Sequence, residues 1–332
     1  MDPDAPPIVV SEGAVRYAGA AGFASLAHRI PIDSNTVFQA GSLAKQITGF
    51  TVLLLVEEGR VRLDDDIRRY LPGFPGYGAA ITIRQLLHHT SGLRDEWDLL
   101  TLAGWRAGDP VTASDGWNLV TRQQTLNFPP GTSFLYSNSG YDLLARIAAS
   151  VPGSGFATLG QNRIFGPLGM RDSRMESDHA AIILRAATGH YPAMKAGGRR
   201  PIPAEPAELR FRSGPGREIR MQLVVGGQDA GEFRRMEPFD LPAGGLAVYG
   251  GAYSSEELDV TYRIAVRDSA LVIRGPRGLE WAATPSYQDG FVVSPINAIL
   301  KFTRGAGGAI TGFSISTDRV RNLAFQRHGN PR

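Results

Sequence analysis

The chain contains no cysteine in 332 residues, which excludes disulfides, thiol catalysis and cysteine-ligated metal while suiting either an oxidising or a reducing compartment. It also lacks any stretch approaching the roughly 18 uninterrupted apolar residues of a membrane-spanning helix, so no membrane span is expected. Its 35 basic and 32 acidic residues are mixed along the chain without basic clusters or interleaved aromatics, which argues against a nucleic-acid partner. The opening "MDPDAPPIVV" has no basic-plus-apolar leader, as fits a cytoplasmic protein or one whose export signal has been removed. Lysine is scarce: only Lys45, Lys195 and Lys301 break the arginine monopoly on positive charge.

What is present is a globular composition, 42% hydrophobic and 20% charged. One hydrophobic core stops growing at about 250 to 300 residues, so two domains are expected. Residues 8–30 read as short strands around the turn Glu12-Gly13. Leu43, Ile47, Phe50 and Leu54 then recur at helical spacing, with Gly59 as a C-terminal stop. Thr82 is placed to cap a second helix over "IRQLLHHTSG", and "SGYDLLARIAASV" (Ser139 to Val151) predicts a third. After a proline-, glycine- and arginine-rich stretch at 195–217, alternation takes over: Val260, Tyr262, Ile264 and Val266 share a face, and "ALVIRG", "NAILKFTR", "AITGFSIST" and "RNLAFQR" follow between turn signals. That pattern predicts an antiparallel meander or small barrel.

Ser42 and Lys45 stand three apart at the head of the first helix, a spacing that brings a hydroxyl within reach of an amine on one face. A serine hydroxyl needs a base to become a nucleophile. Lysine can serve where its surroundings ease deprotonation, whereas arginine stays charged. A helix N-terminus adds N–H groups and a positive dipole end suited to developing negative charge. A second pair, Tyr136 and Asn138 in "FPPGTSFLYSNSGYDLLARI", alternates out of a turn just before a helix; a phenol can carry a proton and an amide can orient a carbonyl. The same residues also read as a core aromatic and an N-cap. The adjacent His88 and His89 diverge and make a poor metal pair, and Asp64, Asp65 and Asp66 read as turn and cap residues; no metal site and no cofactor are expected.

Together these residues resemble the serine β-lactamase and penicillin-binding protein superfamily, in particular its class C β-lactamase, esterase and D-aminopeptidase branch. The resemblance extends over "PIDSNTVFQAGSLAKQITGF", "EEGRVRLDDDIRRYLP", "ITIRQLLHHTSGL", "FPPGTSFLYSNSGYDLLA" and "IFGPLGMRDSRM", in family order. It implies an α+β fold, an antiparallel sheet with helices, followed by a small lipocalin-like β-barrel at about 246–327 that can pack near the catalytic domain and limit substrate access. It further implies Ser42 as the acylated nucleophile, Lys45 and Tyr136 sharing general-base work, Asn138 on the substrate carbonyl side, and His89 and Gly92 as scaffold. The substrate would be a small molecule or peptide, and a periplasmic or secreted location is suggested; oligomeric state is left open.

The sequence departs from the family in two respects: after "AATGHYP" it reaches the β region where members continue through further helices and strands of the catalytic domain, and the third motif is out of place. Members carry a third element, Lys or His followed by any residue and Gly, on a strand lining the site. Here Lys195-Ala196-Gly197 lies in glycine-rich text and His328-Gly329 lies beyond the last strand. The expected organisation is therefore a shortened catalytic domain at 1–194, a linker or rearranged junction at 195–217, and a β region at 218–332. Segments 207–213 and 218–226 are candidates for replacement strands. Three readings stay open: a serine hydrolase acting on a small ester, β-lactam or D-amino-acid peptide; a weak or inactive member that binds cell-wall peptide or a protein partner; and an internally deleted form of a longer hydrolase.

Overall fold

The computed structural model describes residues 8–106, 108–151, 153–175, 182–189, 207–213, 219–225, 228–234 and 245–328, with backbone alone for the three segments between 207 and 234. The chain forms two compact units, residues 1–61 with 148–200 and residues 62–147 with 201–332. Among the described residues no helix is long and apolar enough to cross a membrane.

In the first unit, β1 (Ile8–Ser11) and β2 (Ala14–Ala18) form an antiparallel hairpin. Its two turn residues, Glu12 and Gly13, both take positive φ, the combination that matches the twist of a two-residue hairpin. β3 (Phe23–Ser25) pairs with β4 (Ile30–Pro31). A single 3₁₀ turn at Gly41–Leu43 then feeds α1 (Ala44–Glu57), and Gly59 follows in the left-handed region. The helix lies where the apolar spacing predicts it, but its buried stripe is Thr48, Thr51, Val52 and Leu55, while Leu43 and Phe50 are exposed. The threonines can be buried because their hydroxyls bond carbonyls one turn back, Thr48 to Ala44 at 3.3 Å and Thr51 to Ile47 at 2.8 Å. The short helix Phe156–Gly160 packs against α1, and Arg163 pairs with Glu58.

The second unit opens with the three aspartates in local roles. Asp64 pairs with Arg84, Asp65 accepts from Tyr70, and Asp66 caps the 3₁₀ turn Ile67–Arg69. α2 (Ile83–Leu87) starts at Thr82 with a full capping box to Gln85, α3 (Glu96–Leu102) starts at Asp95, and α4 (Ala113–Thr121) starts with a Thr112–Asp115 capping box. α5 (Asn138–Ser150) begins one residue before the predicted helix. Both candidate replacement segments form strands: β5 (Ala207–Ser213), β6 (Ile219–Val225) and β7 (Gln228–Arg234) make an antiparallel sheet in that order. The rest of the stretch 195–217, including Lys195-Ala196-Gly197, and also Gly329 lie outside the described residues.

The C-terminal region closes into an eight-stranded antiparallel barrel of β8 (Gly251–Ser255), β9 (Val260–Arg267), β10 (Ala270–Arg274), β11 (Glu280–Tyr287), β12 (Gly290–Ser294), β13 (Ala298–Arg304), β14 (Ile310–Ser316) and β15 (Leu323–Arg327). Each strand bonds to the next, and β15 bonds back to β8. Alternation along β13 puts Ala298, Leu300 and Phe302 inside and Ile299 and Lys301 outside. The interior is packed by rings: Tyr262 stacks on Phe325 and Phe325 on Phe313, both at 4.6 Å between centroids, and Tyr253 lies 5.1 Å from Phe313. Leu99, Leu100 and Leu102 of α3 and Leu119 of α4 belong to the same core, and each such buried leucine contributes about 1.5 to 3 kcal/mol. The Tyr262 hydroxyl donates to the Leu102 carbonyl, which joins the barrel wall to the end of α3.

Candidate active site

Ser42 occupies the 3₁₀ turn that leads into α1, and Lys45 lies in the first turn of that helix. The turn needs Gly41 at φ +53; a Cβ there would meet nothing within 4 Å, so the requirement is conformational. The Lys45 Nζ donates to the Ser42 Oγ at 3.3 Å, with Ser42 exposed and Lys45 half-buried. This is the contact the three-residue spacing anticipates.

Tyr136 and Asn138 belong to the second unit, where a connected set of groups holds the start of α5. His89, itself in the left-handed region at φ +57, accepts from the Leu135 N–H through its carbonyl at 3.0 Å and from the Ser137 N–H through Nδ1 at 3.2 Å. The His89 and Tyr136 rings lie 4.5 Å apart. Gly92, two residues beyond Thr90, cannot be replaced without collision, because a Cβ would lie 2.1 Å from the Phe128 carbonyl oxygen. His89 thus holds the segment that carries Tyr136, while Gly92 packs against the Phe128 backbone.

Asn138 donates twice to Asp95 Oδ2, from its backbone N at 2.6 Å and from Nδ2 at 2.8 Å, while Asp95 Oδ1 accepts from the Trp97 N–H at 3.1 Å. One fully buried carboxylate therefore ties the starts of α3 and α5 together. Burial pushes the Asp95 carboxyl above the ordinary carboxylate range, with the Asn138 hydrogen bond opposing it and Asp98 adding to it. The neighbouring Arg94, 1% exposed, pairs with Glu257 beside the barrel at 2.6 Å and donates to the Thr125 and Arg321 carbonyls. Burial lowers the Arg94 guanidinium and raises the Glu257 carboxyl, so each holds the other charged against its surroundings.

The sequence reading passed over Arg94, Asp95 and Arg319. Asp95 carried a signal, since an aspartate directly before "EWDLL" is an N-cap pattern with Glu96 and Asp98 in the first turn. Arg319 carried none. It lies between β14 and β15, and its guanidinium carbon stands 4.9 Å from the centre of the Tyr136 ring. The structure thus unites Ser42 with Lys45 in one unit, and Tyr136 and Asn138 with Asp95 and Arg319 in the other.

Comparison with known proteins gives these pairs a family setting. The chain is 36% identical over 170 residues to a D-aminopeptidase of Cereibacter sphaeroides (strain ATCC 17029 / ATH 2.4.9), which covers 51% of this chain and 32% of that protein. It is 34% identical over 170 residues to penicillin-binding protein 4* of Bacillus subtilis (strain 168), covering 51% of this chain and 37% of that one. The match therefore spans about a third of the length of these curated relatives. Among solved structures, the octameric penicillin-binding protein homologue from Pyrococcus abyssi shares the fold at a TM-score of 0.51 and 17% identity, over 96% of this chain and 95% of that one. The beta-lactamase family model matches residues 7–254, three quarters of the chain and the whole stretch that carries Ser42, Lys45, Tyr136 and Asn138: this protein belongs to the beta-lactamase family.

Proposed function

We propose that the protein is a serine hydrolase that forms an acyl-enzyme at Ser42 on a small ester, a β-lactam or a D-amino-acid peptide. The observation that carries this reading is the hydrogen bond from Lys45 Nζ to Ser42 Oγ at 3.3 Å at the head of α1. Lys45, once deprotonated, takes the hydroxyl proton as Oγ bonds to the substrate carbonyl carbon. The tetrahedral adduct then collapses, the scissile C–O or C–N bond breaks, and the proton passes to the leaving group. Water attacks the resulting ester by the same route in reverse, releasing the acid and restoring Ser42. On this reading Tyr136 is a second proton carrier and Asn138 is the ligand on the carbonyl side, as the sequence resemblance implies. The names of the relatives, D-aminopeptidase and penicillin-binding protein, favour amide and lactam carbonyls.

The test is covalent labelling. Incubation of the full chain with a fluorophosphonate or a penicillin is expected to add one probe mass, located on Ser42 by peptide mapping and lost in Ser42→Ala. A folded protein that stays unlabelled by both probes overturns the reading. A second reading, binding without turnover, is favoured by one observation: among the described residues no strand carries Lys or His two positions before a glycine. Losing one oxyanion donor costs about 2.7 to 4 kcal/mol in a transition state, or roughly a hundred- to thousandfold in rate. Saturable binding of a D-alanyl peptide that is never hydrolysed, and that Lys45→Ala leaves intact, selects this second reading.

A further inference from the structure

The loop between β14 and β15 is fastened to the helical part of its unit by backbone groups and by the Thr317 hydroxyl. Thr317 Oγ1 donates to Asp98, and the Arg319 N–H donates to Asp98 Oδ2 at 3.2 Å. The Arg319 carbonyl accepts from Asn127 Nδ2 at 3.0 Å and from the Asp95 N–H at 3.4 Å, and the Arg321 N–H donates to Asn127 Oδ1 at 2.7 Å. Val320, within the loop, is fully buried. None of these bonds uses the Arg319 side chain. The backbone is fixed, and the side chain is left to reach over Tyr136.

That side chain is 40% exposed, and its nearest carboxylate among the described residues is Asp95, at 3.9 Å, beyond hydrogen-bond distance. Asp95 already accepts three N–H groups, from Asn138 twice and from Trp97. A guanidinium stays protonated and presents its donors as a planar fork that fits a carboxylate in two-point contact. A half-exposed fork on a rigid loop, beside a phenol and an amide, has the chemistry of an anion-recognition element.

We propose that Arg319, delivered by the C-terminal barrel, is a specificity-determining residue that holds a carboxylate on the substrate beside Tyr136 and Asn138. This rests on the serine-hydrolase reading in that it takes those two residues as lining the substrate site. The barrel's β14–β15 loop then contributes an arginine that selects acidic over neutral acyl groups.

The experiment compares two esters with the same leaving group, p-nitrophenyl acetate and mono-p-nitrophenyl succinate, on the full chain and on Arg319→Gln and Arg319→Lys. Arg319→Gln is expected to lower kcat/KM on the succinate ester at least tenfold, mainly through KM, and on the acetate ester less than twofold. Arg319→Lys recovers part of the loss, keeping the charge without the fork. Unchanged melting temperatures are expected, because the hydrogen bonds that fasten the loop do not use the Arg319 side chain. Equal losses on both esters, or none, overturn the proposal. A parallel arm in the Ser42→Ala background weighs binding of the succinate ester by calorimetry, where Arg319→Gln should weaken binding by a similar factor. If the full chain hydrolyses neither ester, this arm alone decides: binding lost with Arg319 upholds the proposal, while absent or unaltered binding overturns it, and the hydrolase reading is judged separately by the labelling of Ser42.

Discussion

The barrel and the first unit of the chain solve the same problem of strand edges in opposite ways. In the barrel every strand has a partner on both sides, and its inward rings, among them Tyr253, Tyr262, Phe302, Phe313 and Phe325, are all buried. The hairpin of β1 and β2 is a two-stranded sheet by itself, and Ile8, Val9, Val10, Val15 and Tyr17 are each more than half exposed. A two-stranded sheet is marginal alone, and an open apolar edge invites pairing, whereas closure removes the edge. The two pairs of candidate residues, one in each unit, inherit this contrast. Tyr136 and Asn138 rest on a framework that is hydrogen-bonded through Asp95 and Arg94 to the barrel and its loops. Ser42 and Lys45 lie at a helix start in the first unit.

The sharpest way to break the comparison is to cut the buried ion pair. Glu257→Ala leaves the Arg94 guanidinium in the interior without its carboxylate, and should cost about 3 to 5 kcal/mol in the denaturant transition of the second unit, followed by tryptophan fluorescence. A loss under about 1 kcal/mol would show that the barrel is not held as described.

A smaller effect is expected at Asp289, which accepts from Arg304 at 2.7 Å and from the Tyr249 hydroxyl at 2.8 Å. The Arg304 hydrogen bonds hold this carboxyl below the ordinary range, with burial opposing them and Tyr249 assisting. A lowered folded-state value means that the contribution is complete above the unfolded pKa and disappears as pH falls through the folded one. Asp289→Asn, which keeps the positive-φ turn, should cost about 1.5 to 3 kcal/mol at neutral pH, and the gap from the parent should close below about pH 4. A gap that persists in acid would contradict the charge assignment.

The smallest effect belongs to the hairpin. Val15→Thr on its exposed strand should change stability by under about 0.5 kcal/mol in the same denaturation assay. A loss comparable to that at Glu257 would mean that this face is covered after all, and the contrast between the units would vanish.

Much of the local structure was legible from short signals. Glu12-Gly13 specified the first hairpin, Thr82 with Gln85 specified the start of α2, and the alternation at Val260 to Val266 marked the barrel. Even there the reading had limits: of the four residues assigned to one face of β9, Tyr262 and Ile264 are buried, Val260 is partly buried and Val266 is exposed. Strands β11 and β12 were harder to see, since Ala282, Ala283 and Pro285 weaken the β pattern of β11. On α1 the apolar spacing located the helix but not its buried stripe, because threonines that satisfy their hydroxyls within the helix can face the core in place of leucines. In the candidate site, the Ser42–Lys45 contact followed from helical spacing. Asp95 was visible as a cap, though not as the shared acceptor of α3 and α5.

The sequence by itself therefore determined what depends on neighbours within about one turn: caps, hairpin turns, helix starts, and the meeting of an alcohol with an amine three residues away. Only tertiary structure decided that an arginine beyond β14 would lie over a tyrosine before α5. That placement requires the barrel to close, the β14–β15 loop to bond its backbone to Asp98 and Asn127, and Arg94 to find Glu257. Each of these contacts joins residues far apart in the chain, so no local spacing encodes them.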